Sequence, residues 1–290
     1  MKILVTGACG NIGKKLVPYL RKCGHKVVRL DIAQEHADDY IKHDVRDGLI
    51  YPYECDVVYH MAGMVSRITC EKARKLAIET NILGTYNMVE FCMDRNLKLI
   101  NFSTSEVYGP IDGLMSEHRD DINPNNLYGL SKMLAEKLIE YEIANGLDAV
   151  TVRPFMIYDE NETKGVHRSA MIRFAEALTK KEPVTVHMHS KRSWLHIDDA
   201  VEAFERLMQL DSYEIINIGH PIIVPMTKIA ITMCEMLDLN PTEYVRGATL
   251  PERMTLIKEP DLTKQEELLG FVPKISIEEG IARVIEKCRE

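Results

Sequence analysis

The chain has 290 residues, with 36 Lys and Arg against 44 Asp and Glu, a net charge of −8. That length suits one large domain, or a core domain with a smaller one attached, and it buries enough apolar surface to need no disulfide or metal staple. The acidic balance argues against a nucleic-acid-binding surface.

Seven cysteines (9, 23, 55, 70, 92, 234 and 288) are scattered, with no Cys-x-x-Cys pair. Their odd number and spacing predict reduced thiols in a cytoplasmic protein, not a disulfide framework or a zinc site. Met1-Lys2 leads straight into a strand pattern, so no signal peptide is expected. No apolar run approaches the ~20 residues that a membrane span requires.

In chain order, residues 2–6 (KILVT) form a short apolar strand, followed by a glycine-rich turn. A helical pattern runs over 11–23, with Ile12, Leu16, Val17 and Leu20 on one face. A second apolar run, 26–30, ends at Asp31. Further strand-like runs lie at 56–61, 98–102, 149–153 and 214–218, and helical patterns at 71–95, 129–144, 168–180, 198–209 and 226–237. Continuous apolar strands alternating with helices predict an α/β fold: a Rossmann-type doubly wound parallel sheet covered on both faces. After Arg153 the alternation loosens, and 156–167 and 181–193 are polar and irregular. Residues 1–153 are expected to bind the nucleotide and 154–290 mostly the substrate, with 198–219 returning to the main sheet.

The first turn reads Gly7-Ala-Cys-Gly10-Asn11-Ile12-Gly13. The first glycine permits a tight turn, the second lets backbone approach a pyrophosphate, and the third lets the helix sit close to the strand. The helix N-terminus then offers free N–H groups to the phosphates. Asp31, 18 residues after Gly13, stands where a carboxylate accepts hydrogen bonds from the adenosine ribose. It would also repel a 2′-phosphate, which favours NAD over NADP. Asp44-Val45 follows the next short strand as a candidate adenine contact; a surface Asp beside a core Val fits the same pattern.

The stretch Ser103-Thr104-Ser105-Glu106-Val-Tyr-Gly109 follows an apolar strand. Tyr128 and Lys132 lie 24 and 28 residues beyond Thr104, one helical turn apart and so on one face. Exposed Tyr-x-x-x-Lys pairs are common, but with a strand-end hydroxyl and a dinucleotide turn upstream they form a catalytic constellation. Removing hydride from a sugar alcohol requires removing the hydroxyl proton too. Tyrosine, with a pKa of ~10, is a poor base at neutral pH. An adjacent ammonium and a positive nicotinamide would stabilise its phenolate, while Thr104 would orient the reacting oxygen.

In these motifs the chain resembles the extended short-chain dehydrogenase/reductase family, in its NAD-dependent nucleotide-sugar epimerase/dehydratase branch. The landmarks run in order: VTGACGNIG, LDI, HDV, HMAG (60–63), NILGT (81–85), STSEVYG, YGLSK, VRP (152–154), RSWLHIDDA (192–200), NIG (217–219) and DLTKQEELLGFVPKISIEEGI. The resemblance implies a bound NAD, a nucleoside-diphosphate sugar (most naturally a UDP sugar) oxidised at carbon 4, and a homodimer formed by paired helices. It implies Thr104, Tyr128 and Lys132 as the catalytic triad, with Met61, Ala62, Gly63, Asn81 and Pro154 around the nicotinamide. It implies Ser105, Arg192 and Arg253 as substrate contacts, Arg192 at the diphosphate.

A ketone at carbon 4 acidifies the carbon-5 proton and turns a carbon-6 carboxylate into a β-keto acid. Epimerisation, dehydration and decarboxylation therefore share one first step. The Thr-Ser-Glu run resembles the dehydratases and decarboxylases, in which a glutamate at the Glu106 position is the later acid/base; a loop carboxylate paired with a cation is the plainer alternative. Met156 and Asp159 depart from the family pattern, which has asparagine and glycine there. A keto-sugar reductase and a non-catalytic NAD sensor are the competing expectations.

Elsewhere, His60, His187, His189 and His196 lack metal-ligand spacing, and no metal is expected. His187 and His189 read as alternating outward along a strand. Residues 226–237 read as a core helix, and Asp198-Asp199 as the cap of the helix that follows.

Overall fold

The computed structural model describes residues 1–49, 54–162, 169–249 and 255–290. The first half runs β1 (Lys2–Thr6), α1 (Asn11–Lys22), β2 (Lys26–Asp31), β3 (Tyr40–Lys42), β4 (Val57–His60), α2 (Arg67–Lys72), α3 (Arg74–Ile78), α4 (Gly84–Met93), β5 (Lys98–Phe102), α5 (Leu127–Ile143) and β6 (Ala149–Pro154). The second half runs β7 (Met156–Tyr158), α6 (Ala170–Thr179), β8 (Val184–His187), β9 (Lys191–His196), α7 (Ile197–Arg206), β10 (Ile215–Ile218), β11 (Ile223–Pro225), α8 (Met226–Met236), α9 (Pro241–Tyr244), β12 (Val245–Ala248), β13 (Ile257–Lys258), α10 (Thr263–Leu269) and α11 (Ile277–Arg289).

Seven parallel strands form the main sheet in the order β10-β6-β5-β4-β1-β2-β3. From β1 the chain winds outward to β3, then returns to β4 and winds the other way. The winding reverses between β1 and β4, so their carboxyl ends open a crevice of the kind that holds dinucleotides. Every residue of β4 is buried, as are Ile3–Thr6 of β1 and Leu99–Phe102 of β5. Burial on both faces explains their continuous apolar sequence. Leu16, Val17 and Leu20 of α1 share one core with Ile197, Val201 and Phe204 of α7, so a helix of the second half packs on the nucleotide half. β10 joins the main sheet beside β6.

The remaining strands form two small sheets. In one, β9 pairs with β11, β13 and β7; in the other, β12 pairs with β8. A second core gathers α6, α8 and α11, including Met226, Met233 and Cys234, as expected for a core helix there.

The helical pattern expected over 71–95 is interrupted. α2 ends at Ala73, whose φ of −124° is not helical, and the chain passes through a π-helical turn over Glu79–Leu83 before α4. Such π turns insert one extra residue and frequently mark functional sites. Asp198-Asp199 is not the cap of α7: His196 accepts the N–H of Asp198 at 3.2 Å. Asp199 instead accepts the N–H groups of Lys274 and Ile275. His189 falls in the turn after β8 at φ +63°, so the pair does not alternate along one strand.

Candidate active site

Gly7 adopts φ +69°, and a Cβ there would stand 2.7 Å from the Ala62 nitrogen. A Cβ on Gly13 would stand 2.6 Å from the carbonyl oxygens of Gly7 and Ala8. The β1 turn is thus pressed between the β4 exit and α1, an approach only glycine allows. Gly10 precedes α1 and no side chain caps it, leaving the N–H groups of Asn11, Ile12 and Gly13 for an anion. Asp31 ties the turn to β2, accepting from Cys9 N at 2.9 Å and Ala33 N at 3.1 Å. Asp44 is bound to Arg46, which holds its carboxyl below the usual range, while Val45 lies in the core under Gly84.

Thr6 bridges the two sides of the crevice: its hydroxyl accepts from Ala62 N and bonds to His60 Nδ1 at 2.9 Å. His60 also reaches Thr85 at 3.1 Å, and burial pushes its pKa down to about 3, so it is a neutral brace. Met61 N donates to the Thr6 carbonyl. Asn81 lies in the π turn and is fully buried. Its Oδ1 accepts from Met64 N at 2.7 Å, and its Nδ2 donates to the Met64 carbonyl and to Ser131 Oγ at 2.9 Å. Asn81 therefore fastens the 61–64 loop to the helix that carries Lys132. A Cβ on Gly63 would lie 3.1 Å from Asn81 Oδ1 and 3.5 Å from Lys132 Nζ. Pro154 closes β6 opposite Ile218.

Thr104 follows β5 and caps the short 105–108 turn, accepting from Glu106 N at 3.2 Å. Asn126 caps α5 through Gly129 N. A Cβ on Gly129 would stand 2.5 Å from the Glu106 carbonyl oxygen, so α5 starts directly against that turn. Tyr128 and Lys132 occupy the first two turns of α5, Tyr128 half-buried and Lys132 buried. Burial pushes the Tyr128 phenol up; the Thr104 hydroxyl pulls it back, and the Glu106 charge adds to the rise. Burial likewise draws Lys132 down to about 8, against the pull of Glu136. The lowered phenol expected from the sequence is thus not a property of the protein alone: desolvation outweighs it.

Glu106 does not stand alone. Its Oε1 lies 2.6 Å from Lys258 Nζ of β13, and its Oε2 accepts from Asn126 Nδ2 at 3.0 Å. Burial would push its carboxyl up, but the Lys258 ammonium, with Arg67 and Asn126, holds it below the ordinary range. Lys258 is buried and also approaches Ser105 Oγ at 3.5 Å. Arg192, on β9, donates to the carbonyls of Lys191, Leu256 and Thr255, at 2.7–2.8 Å, beside Lys258. Burial draws Arg192 down to about 10, against the pull of Glu106. Arg253 lies outside the described residues.

Sequence reasoning missed Lys258, Arg67 and Asn126. Lys258 left one signal, a lysine inside the apolar run TLIKEP. Asn126 left another, an N-cap residue just ahead of the Tyr-x-x-x-Lys helix. Behind the site, Glu136 of α5 makes a buried two-pronged pair with Arg153 of β6, at 3.0 and 2.7 Å. Arg153 in turn lies over the Tyr108 ring. Outside the cleft, Glu160, His196 and Asp198 bring ligand atoms within 4.8 Å of one another, a grouping that spacing did not reveal. The Lys15 ammonium sits 3.5–3.8 Å from Asp159, Glu160 and Asp198 and offsets one of their three charges.

Comparison with known proteins shows the family. The family model described as NAD dependent epimerase/dehydratase family matches residues 3–219. UDP-N-acetyl-alpha-D-glucosaminuronate decarboxylase of Bacillus cytotoxicus is 30% identical over 320 residues, covering 100% of this chain and 98% of that protein. UDP-glucuronic acid decarboxylase 1 of Arabidopsis thaliana is 28% identical over 309 residues, covering 100% of this chain and 70% of that one. Among solved structures, MoeE5 in complex with UDP-glucuronic acid and NAD superposes with a TM-score of 0.89 at 26% identity, covering 100% of this chain and 99% of that one. With its doubly wound sheet, glycine turn and Thr-Tyr-Lys set, the chain belongs to the NAD-dependent epimerase/dehydratase family and is an enzyme of that type.

Proposed function

We propose that the protein decarboxylates a UDP-uronic acid, using NAD that is regenerated within each turnover. The observation that carries this reading is the ion pair of buried Lys258 with part-buried Glu106, beside Thr104, Ser105 and Tyr128, with two further cations, Arg192 and Arg67, acting on it. A buried ion pair is costly to desolvate and contributes little to stability beyond what apolar residues would give. Hydride removal and return at carbon 4 do not call for it. A carboxylated sugar does.

The residues present fit the dinucleotide. The glycine turn leaves its backbone bare, the α1 N-terminus is free, and the buried Ser103 hydroxyl beside Thr104 has no partner among the described residues. When bound, NAD supplies the hydride acceptor and a positive ring that offsets the desolvation of the Tyr128 phenol. Tyr128 Oη takes the proton of the carbon-4 hydroxyl, and Thr104 orients that hydroxyl. Lys132 lends positive charge to the same face of α5. The carbon-4 ketone then accepts the electron pair released as the carbon-5 to carbon-6 bond breaks, and carbon dioxide leaves. The Lys258 ammonium gives up a proton through the hydrogen-bonded Glu106 to carbon 5, and solvent later restores it to Lys258. Tyr128 returns its proton as hydride comes back to carbon 4. Dehydration would take a different division of labour: Glu106, held as a carboxylate, would remove the carbon-5 proton, and a second group would have to protonate the departing carbon-6 hydroxyl.

The test is incubation with UDP-glucuronate and catalytic NAD, read by mass and NMR. The expected product is a UDP-pentose lighter by carbon dioxide, without stoichiometric NADH. An unchanged mass with inverted carbon 4 would make the protein an epimerase instead.

The same reading includes a homodimer in a reducing, cytoplasmic setting. Leu83 and Tyr86 near the start of α4, and Leu130, Leu134 and Tyr141 on α5, are exposed apolar residues on neighbouring helices, which suits a helix-paired interface. All seven cysteines are free thiols. Sedimentation of the wild type against Leu134→Glu checks the dimer.

A further inference from the structure

Arg67 begins α2. The preceding Ser66 sits at φ +85°, and its hydroxyl accepts from Thr69 N, so the chain turns sharply into this helix. Four residues on, and therefore on the same face, Glu71 accepts the N–H of Leu127 at 3.1 Å, the first residue of α5. That face of α2 is thereby held against the start of the catalytic helix. The next residue back, Asn126, donates to Glu106. Asn126 and Glu106 meet at one corner of the cleft, and the Arg67 charge acts there on Glu106, Arg192 and Lys258.

Arg67 is half-buried and makes no ion pair or hydrogen bond among the described residues. Arg29, Arg46, Arg153, Arg206 and Arg283 are all paired with carboxylates. Among the described residues at this corner, Lys258 is matched by Glu106, Arg192 is hydrogen-bonded to neutral carbonyls, the Glu71 carboxylate is turned to Leu127 N and Arg74, and Arg67 has no carboxylate partner. A half-buried surplus of positive charge is costly unless an anion joins it.

We propose that Arg67 determines specificity by binding the carbon-6 carboxylate of the sugar. The inference rests on the UDP-uronate reading and adds the residue that enforces it. The guanidinium fork matches a carboxylate in a two-pronged fashion, which an ammonium does not. The diphosphate is the other anion available. The Arg67 charge acts on Glu106, however, and Glu106 follows Thr104 by two residues, at the end of the cleft where carbon 4 reacts and carbon 6 is two bonds away. In the decarboxylation step negative charge leaves the carboxylate for the carbon-4 oxygen, so a cation on the carboxylate favours the bound substrate over the transition state. Arg67 therefore lowers KM and not the barrier to bond breaking.

The experiment uses the NAD-loaded enzyme and compares wild type, Arg67→Gln and Arg67→Lys. Binding of UDP-glucuronate and UDP-glucose is measured by calorimetry, and turnover separately. For Arg67→Gln, Kd for UDP-glucuronate should rise about 10- to 100-fold, with UDP-glucose within about twofold. Arg67→Lys should recover part of the loss. Equal weakening for both ligands would assign Arg67 to the diphosphate and overturn the proposal, as would unchanged binding of both. A wild type that prefers UDP-glucuronate but releases no carbon dioxide would overturn the decarboxylase reading while leaving the role of Arg67 intact.

Discussion

The two ends of the cleft are built in different ways. At the dinucleotide end, the glycine turn, the start of α1 and Asp31 come from one stretch of 25 residues, and short-range sterics fix their geometry. At the sugar end, Arg67, Glu106, Arg192 and Lys258 come from four separate segments spanning 192 positions, and the fold alone brings them together. The first end tolerates no side chain where backbone meets backbone. The second depends on the balance of charges in a dry corner. Breaking each end should therefore fail in a different way.

The largest effect is expected where the ends meet. Tyr128→Phe should keep NAD binding and lose turnover by about a thousandfold or more, because no other group at the carbon-4 hydroxyl takes its proton. Cofactor titration and single-turnover rates check this, and a rate near wild type would remove Tyr128 from the scheme. Next comes the sugar end. Lys258→Met leaves the part-buried Glu106 without its ammonium partner, which should cost about 1–3 kcal/mol of stability and raise the Glu106 carboxyl. The double variant Lys258→Met/Glu106→Gln should regain most of that stability in denaturant unfolding but none of the activity. Recovery of both would reduce the pair to scaffolding.

The contrast also governs what the sequence discloses. Gly7, Gly10 and Gly13 were legible because their spacing is itself the geometry. Tyr128 and Lys132 were legible because one helical turn separates them. The pairing of Glu106 with Lys258 was not, since the partners lie 152 residues apart and β13 is only two residues long. Arg67 was hidden differently. Apolar periodicity runs on through 71–95, so nothing local announces the break at Ala73 or the π turn that places Asn81 against Ser131. Arg192 was singled out for the diphosphate; its hydrogen bonds go to the carbonyls of Lys191 and of Thr255 and Leu256, just ahead of β13, a pairing no spacing announced.

Lys132 gives a smaller, pH-dependent effect. Its pKa in the folded protein, about 8, lies below the 10.5 of an unperturbed lysine. Between those values the unfolded chain holds a proton that the folded chain has lost, so stability attributable to this group rises as pH goes from about 8 to 10.5. Below about 8 the full cost of burying the ammonium applies, roughly 3 kcal/mol at most. In the cofactor-free protein Lys132→Met should remove this slope and be the more stable form near pH 7. Equal slopes in both proteins would show that Lys132 is better solvated than its burial indicates.

The smallest effect separates two functions of one residue. Asn126 caps α5 through Gly129 N and also donates to Glu106. Asn126→Ala loses both, at about 1 kcal/mol for the cap. Asn126→Asp keeps a cap of equal quality but has no donor for Glu106, and it sets a second carboxylate beside the first. The aspartate variant should therefore unfold near the wild-type temperature while losing more turnover than the alanine variant, because added negative charge raises the Glu106 carboxyl further. If the alanine variant were the less active of the two, α5 placement would matter more than the charge state of Glu106. The sugar end would then depend on local backbone order, as the dinucleotide end does.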